Sequence, residues 1–189
     1  MDLTSQAPEL KTLKKVIDRL DQASIPYMLT GSMALNFYGQ PRATNDFDIV
    51  IAVQSSDEGK IFNLFKADYY ISRETLREAL LEGRLLNIID HESIFKIDLI
   101  PKKKNPYSDE QFKRRQTKEF EGLHVSVISP EDLILAKLVW SQDSLSEMQE
   151  RDIKNLLKLL TTSLDTAYLD KWAKVLGVGE RLRSCRVSS

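Results

Sequence analysis

The stretch that decides the fold spans residues 25–51 and reads IPYMLTGSMALNFYGQPRATNDFDIVI. Its first six residues are typical of a short buried strand, and Gly31-Ser32 separates them from a helical stretch that ends at Gly39. A second strand is predicted over Asp46–Val53, because DFDIVIAV is apolar and β-branched apart from its two carboxylates. The stretch therefore predicts a strand, a tight turn and a helix, followed by a second strand.

Asp46 and Asp48 are separated by one residue on this second strand. Both carboxylates then point to one face, while Phe47 and Ile49 point into the core. Acid-x-acid triplets occur four times in the chain, but the other three lie in turns, a polar segment or a charged helix. Two like charges within an apolar strand repel and require a cation. The pair is therefore a candidate metal site.

A third acid, Asp98, lies within the apolar stretch IFKIDLI, residues 94–100, the second strand of a predicted hairpin. On a neighbouring strand it joins Asp46 and Asp48, and three convergent carboxylates suit one or two magnesium ions. The alternative is a salt bridge between Asp98 and Lys96, which strand alternation places on the same face.

Gly31-Ser32 lies at a strand-to-helix turn. A residue without a side chain lets a phosphate approach the backbone, the helix start supplies amide donors, and Ser32 adds a hydroxyl. The spacing of a P-loop or a dinucleotide motif is absent from this sequence. Arg42 and Thr44, just before the acid pair, either hold a phosphate or order the loop.

Together these residues resemble the nucleotidyltransferase fold of the polymerase-beta-like enzymes: Gly31-Ser32, a helix, Asp46-x-Asp48 on the next strand and Asp98 on a later one. More narrowly, PYMLTGSMAL, PRATNDFDIVI, SPEDLILAKLVW and QERDIKNLL are similar to small bacterial nucleotidyltransferase-like proteins related to abortive-infection type toxins. The resemblance implies a lysine and an Arg-Asp pair in the functional set, at Lys137, Arg151 and Asp152.

Lys137 also has an argument of its own, because the helical stretch LILAKLVW is apolar on every side and its ammonium needs an anionic partner. That partner is a triphosphate, or Asp152 in a purely structural pair; alternatively, the lysine extends to the surface.

The function implied by the resemblance is a magnesium-dependent transfer of a nucleoside monophosphate from an NTP to an acceptor hydroxyl. Asp46, Asp48 and Asp98 are the expected catalytic residues and hold two Mg²⁺ ions. Gly31, Ser32, Arg42 and Lys137 are expected to bind the nucleotide. The acceptor is RNA, protein or a small molecule, and an antitoxin is a possible partner. The alternative is a catalytically silent nucleotide-binding or regulatory module with the same fold.

The predicted fold class is α/β, a small mixed sheet of about five strands flanked by helices. Residues 1–128 are expected to form the nucleotidyltransferase core with an N-terminal helix. From Ser129-Pro130-Glu131-Asp132, a strong helix start, residues 129–189 form a helical appendage packed on the core in one compact unit. The site is expected at the sheet edge.

The 189-residue chain has 27 basic and 28 acidic residues, so no global field attracts a polyanion. Residues 102–118 hold seven basic and two acidic residues, net +5, which suit an RNA such as tRNA or form a solvated face. The single Cys185 fits a reducing cytosol. The longest apolar run, five residues from Ile49, is far below the roughly 20 of a membrane span. A cytoplasmic protein without membrane contact is expected.

Overall fold

The computed structural model describes residues 8–40, 44, 46–120, 122–143 and 146–187. Within these ranges the strands are β1 (Tyr27–Thr30), β2 (Asp46–Ile51), β3 (Tyr69–Tyr70), β4 (Leu86–Asp90), β5 (Lys96–Pro101), β6 (Gln116–Phe120) and β7 (Leu123–Val127). The α-helices are α1 (Pro8–Gln22), α2 (Gly31–Ala34), α3 (Glu58–Phe65), α4 (Arg73–Glu82), α5 (Pro106–Lys113), α6 (Pro130–Asp143), α7 (Glu147–Leu159), α8 (Thr166–Val175) and α9 (Gly179–Val187). None of the helices in the described ranges has the length and apolar character of a membrane span. The predicted α/β fold class is confirmed.

The seven strands form one sheet in the order β3-β4-β5-β2-β1-β7-β6. β2 is parallel to β5 and β1 is parallel to β7, while the remaining neighbours are antiparallel. Side chains of β2 alternate between the faces, so that Phe47, Ile49 and Ile51 are buried and Asp46 and Asp48 lie on the other face. The sheet therefore separates an apolar face of β2 from a face that carries carboxylates.

The sheet is larger than the sequence predicts, and its strand order places the acids away from both edges. β3 has only two residues, and β6 has the largely polar sequence QTKEF, so neither shows an apolar alternation. β3 and β4 extend the sheet beyond β5, and β7 and β6 extend it beyond β1. The expectation of a site at the sheet edge is therefore wrong, because β2 and β5 lie in the middle.

The segment after β1 forms a single turn of α-helix, α2, which continues as a 3₁₀ helix over Leu35–Tyr38. Gly39 ends it with a φ of 79°, a left-handed conformation that glycine adopts without strain. The Tyr38 hydroxyl donates a hydrogen bond of 2.5 Å to the carbonyl of Ile128. This bond ties the turn to the start of the C-terminal helices.

The C-terminal helices begin where the sequence predicts. The Ser129 hydroxyl accepts a hydrogen bond from the Asp132 backbone amide at 3.2 Å, as an N-cap does. Leu133, Ile134 and Leu135 of α6 are fully buried, in the same apolar cluster as the sheet residues. The helices thus share one core with the sheet.

A buried polar cluster joins α5, α6 and α8. Arg114 lies 3.0 Å from the Glu131 carboxylate, and its guanidinium stacks 3.8 Å above the Tyr168 ring. The Tyr168 hydroxyl donates to the fully buried Asp132 at 2.8 Å. Arg114 belongs to the basic segment 102–118, whose Lys102 is also paired, with Asp109. Part of that positive charge is therefore used within the fold.

Replacement of Arg114 tests this cluster. In Arg114→Met, Glu131 and Asp132 lose their cation while they stay buried, and we expect a loss of about 3 kcal/mol in the free energy of unfolding. Arg84→Met is the control, because Arg84 pairs with Glu82 on the surface and exposed pairs contribute at most about 1 kcal/mol. Urea denaturation measures both, and equal losses would contradict the assignment.

Candidate active site

The three acids predicted from the sequence lie on adjacent central strands. In the parallel register of β2 and β5, Asp48 is opposite Asp98 and Asp46 is opposite Lys96. The Lys96 ammonium lies 3.6 Å from the Asp46 carboxylate and 3.3 Å from that of Asp98. The salt bridge between Lys96 and Asp98 is therefore present, and the same lysine links both strands on the face that carries the acids.

Asn87 on β4 is a residue of this site that the sequence analysis missed. It pairs with Asp98 in the antiparallel register of β4 and β5, and its side-chain amide donates a hydrogen bond to the Asp98 carboxylate. An asparagine within the alternating stretch LNIID is the only sequence signal for it. Asn87 and Lys96 together hold both oxygens of Asp98.

The electrostatics of the cluster disfavour three negative charges without added cations. Burial raises the pKa of Asp48 to about 6, and the charges of Asp98 and Asp46 add to this, against the opposing effect of Lys96 and Lys137. Burial lowers the pKa of Lys96, but the two neighbouring carboxylates outweigh it and hold this pKa above its ordinary value. The cluster therefore favours an additional positive charge.

Gly31 lies directly against Asp48. A Cβ atom built on Gly31 would stand 1.8 Å from the Asp48 Oδ2 atom, and its φ of 64° is one that side-chain-bearing residues rarely adopt. Gly31, Ser32 and Asp48 line a cavity of about 100 Å³ together with Lys137 and Gln149 of the C-terminal helices. The glycine thus allows the turn and the carboxylate to share one small space.

Lys137 is 4% exposed, and its ammonium lies 2.9 Å from both the Asp152 carboxylate and the Gln149 amide oxygen. The structural pair with Asp152 is thus present, and Lys137 also lines the cavity of Ser32 and Asp48. Gln149 was not predicted. Arg151 is exposed on α7 and is absent from the described lining of this cavity.

Of the two predicted site residues that precede β2, Arg42 and Thr44, the structure describes Thr44. The Thr44 hydroxyl accepts a hydrogen bond from the Asp46 amide at 3.3 Å and donates one to the Asp46 carbonyl at 3.2 Å. Thr44 therefore orders the entry into β2, one of its two predicted roles. Arg42 lies outside the described residues.

The donor chemistry of the cluster suits magnesium, because all three groups are carboxylates and an added cation relieves the repulsion at Asp48. Among the described residues, however, no group of three His, Cys, Asp or Glu side chains is arranged to hold a metal ion. Lys96 instead bridges Asp46 and Asp98. Asp46 and Asp48 are the residues that would hold such an ion, with Asp98 beside them.

The sheet topology and the acids beside Gly31-Ser32 define a nucleotidyltransferase of the polymerase-beta-like class, and comparison with known proteins confirms it. The sequence model of the aminoglycoside-2''-adenylyltransferase family matches residues 12–156, more than half of the chain. The chain belongs to this family and is a nucleotidyltransferase. No curated protein sequence matches it.

Solved structures share the fold at low sequence identity. LnuA, a lincomycin-bound lincosamide antibiotic adenylyltransferase, aligns with a TM-score of 0.56 and 19% identity over 79% of this chain and 96% of that chain. ANT(2")-Ia in complex with adenylyl-2"-tobramycin aligns with a TM-score of 0.52 and 18% identity, over 94% and 98%. An antigenic nucleotidyltransferase-like protein from Paracoccidioides brasiliensis aligns with a TM-score of 0.57 and 20% identity, over 95% and 92%.

Substitution of Gly31 tests the contact with Asp48. Gly39→Ala is the matched control, because Gly39 also has a positive φ but an added Cβ meets nothing within 4 Å. We expect Gly39→Ala to cost about 1 kcal/mol of unfolding free energy for the backbone alone. Gly31→Ala should cost about 2 kcal/mol more, because Asp48 must move. Similar losses in the two variants would show that the contact is not tight.

The pH dependence of stability tests the environment of Asp48. Because the pKa of Asp48 rises from 3.8 to about 6 in the folded chain, the native state binds the proton more tightly than the unfolded state. The stabilisation that comes from this tighter proton binding is therefore fully present below about pH 4, and it is lost as the pH rises through 6. With divalent ions removed by EDTA, we expect the unfolding free energy of Asp48→Asn to rise relative to that of the wild type by up to about 3 kcal/mol as the pH increases from about 4 to above 6. Parallel curves of unfolding free energy against pH would refute this.

Proposed function

We propose that this nucleotidyltransferase transfers the AMP group of ATP to a hydroxyl group of a small-molecule acceptor. One observation carries the proposal: Asp48 lies opposite Asp98 on the central strands and directly against Gly31 at the start of α2. Carboxylates, a turn without a side chain and a hydroxyl at Ser32 are what a metal-assisted phosphoryl transfer needs in one place. Membership of an adenylyltransferase family supports ATP as the nucleotide.

The residues have distinct roles in this proposal. Ser32 and the backbone of Gly31 hold the outer phosphates, since both line the cavity next to Asp48. Lys137 adds a positive charge to the same cavity while Asp152 and Gln149 fix its position. Arg42, Arg151 and Thr44 stay accessory predictions.

The reaction conserves atoms and charge. The acceptor oxygen forms a bond to the α-phosphorus of ATP, and the bond from this phosphorus to the bridging oxygen breaks. Pyrophosphate leaves with the electron pair. Asp98 takes the hydroxyl proton, and its two oxygens are oriented for this by Asn87 and Lys96.

Magnesium is part of the proposal, with two ions as the sequence resemblance implies. When bound at Asp46 and Asp48, it supplies charge that stabilises the attacking and leaving oxygens. The Lys96 ammonium supplies part of the same compensation between Asp46 and Asp98. Asp48, whose burial and acidic neighbours disfavour its negative charge, is the group that gains most from a cation.

The acceptor is proposed to be a small molecule because the family and two of the structural neighbours act on antibiotics, as their names state. An RNA acceptor such as tRNA, an antitoxin partner and the link to abortive-infection toxins stay predictions from the sequence. Within the basic segment 102–118, Lys102 and Arg114 are paired with acids of this chain, which reduces the charge available to a polyanion.

Label transfer tests the proposal. Protein, Mg²⁺ and α-³²P-labelled ATP are mixed with a pool of hydroxyl-bearing small molecules, and labelled products are separated by chromatography. We expect AMP transfer with release of pyrophosphate, and a loss of more than about 10³-fold in Asp46→Asn and Asp48→Asn, because both remove charge needed in the transition state.

Asp18→Asn is the control, since Asp18 pairs with Lys14 on the surface of α1, and it should retain full activity. Circular dichroism confirms that the variants are folded. Transfer that survives in both active-site variants contradicts the assigned roles. Tight ATP binding without any transfer would instead favour a catalytically silent nucleotide-binding module.

A further inference from the structure

A second, larger cavity adjoins the proposed active site. It has a volume of about 420 Å³ and lies between the sheet, α5, α6 and α8. We call it the apolar groove, because its walls include Val139, Trp140, Trp172 and Val175. The volume falls within the roughly 300–1,000 Å³ of pockets that bind small molecules. Two of these residues, Trp140 and Val175, are 62% and 65% exposed, so their apolar surfaces are open to solvent.

The groove is continuous with the cavity that holds Asp48 and Ser32. The two cavities share Thr30, Ile100, Ala136 and Trp140 in their walls. In the sheet, Val50 lies opposite Ile100. Val50 follows Asp48 by two residues on β2, and Ile100 follows Asp98 by two residues on β5. Alternation places them on the same face, about 7 Å farther along the strands. A molecule in the groove therefore reaches the carboxylates with one end.

The charge of the lining argues against a polycationic occupant. Among the described residues that line the groove, Lys103 is the one charged side chain, and no carboxylate is present. A molecule with several ammonium groups would find carboxylates only at the end that reaches Asp48, and its other ammonium groups would lose hydration in the groove without an anionic partner. An acceptor of low charge with an apolar body fits the lining instead.

Two polar side chains of the lining form hydrogen bonds within the protein. The Asn105 side chain accepts from the Ser108 amide at 2.8 Å, and the Gln111 amide donates to the Tyr107 hydroxyl at 3.4 Å. Because most of the lining residues are apolar, a nucleobase, which presents several hydrogen-bonding atoms, would leave some of them unpaired there. The groove therefore suits the acceptor better than the base of ATP.

One buried donor in the groove wall lacks a partner. Trp172 is 8% exposed, and its indole N–H has no hydrogen-bond acceptor among the residues that the structure describes. The nitrogen itself is enclosed, so Trp172 offers the groove apolar ring atoms and not a donor. The ring itself is fixed by Tyr107, whose centroid lies 5.0 Å away.

We propose that the apolar groove binds the acceptor of the AMP transfer, a low-charge hydroxylated molecule with an apolar body that packs between Trp140 and Trp172. This inference rests on the proposed function and names its substrate class. It separates the chain from enzymes that act on polycationic aminoglycosides, although the family bears their name.

Tryptophan fluorescence of the full chain tests binding without turnover, because the chain has two tryptophans and both line the groove. The probes are n-octyl glucoside below its micelle concentration, tobramycin as a polycation, and ATP. We expect a saturable change with octyl glucoside, none with tobramycin at equal concentration, and simultaneous binding of octyl glucoside and ATP.

Two variants locate the binding site. Val175→Asp places a charge on the exposed rim and should weaken octyl glucoside binding at least about tenfold. Leu81→Asp is its control, because Leu81 is also 65% exposed near a helix end but does not line the groove.

Four results would overturn the proposal. Competition between ATP and octyl glucoside would assign the groove to the nucleobase. Stronger binding of tobramycin than of octyl glucoside would show that the acceptor is a polycation. Equal effects of Val175→Asp and Leu81→Asp on octyl glucoside binding would show that the groove is not the binding site. A dimer in sedimentation that Val175→Asp dissociates would show a second copy as the occupant. Failure of AMP transfer is a separate result, because binding in the groove is read without turnover.

Discussion

The pairing of β2 with β5 places two like charges, Asp48 and Asp98, opposite each other on the central strands. The repulsion is tolerated because the other face of the same pair buries Phe47 against Ile97 and Ile49 against Leu99. Each such side chain contributes roughly 1.5–3 kcal/mol on burial. Apolar packing on one face thus stabilises an electrostatically unfavourable arrangement on the other, and that arrangement favours a cation.

The site also depends on helices that are distant in sequence. α6 and α7 bring Lys137 and Gln149 to the cavity of Gly31 and Asp48, and α8 brings Trp172 to the groove beside it. The buried ion pair of Lys137 with Asp152 links α6 to α7. The proposed chemistry at the strands and the proposed recognition at the helices therefore come from separate parts of the chain that share one core.

Much of the central fold follows from local pattern. Apolar alternation and the Gly31-Ser32 break are sufficient to predict β1, β2, β4, β5 and β7, and the Ser129 cap predicts the start of α6. β3 and β6 cannot be predicted in this way. The two residues of β3 are too few to show an alternation, and the β6 sequence QTKEF is largely polar. The strand order, which no local pattern sets, places the acids in the middle of the sheet and not at the expected edge.

By itself, the sequence determined which strand faces carry acids, because the direction of side chains in a strand is set by alternation. It also indicated the type of fold, because the order of turn, acid pair and third acid resembles that of the polymerase-beta-like nucleotidyltransferases. Only the tertiary structure decided that Asn87 donates to Asp98, that Lys96 also reaches Asp46 on the neighbouring strand, that Lys137 pairs with Asp152, and that an apolar groove adjoins the acids. These contacts join residues whose separation in sequence is bridged only by strand register and helix packing, and neither leaves a local pattern.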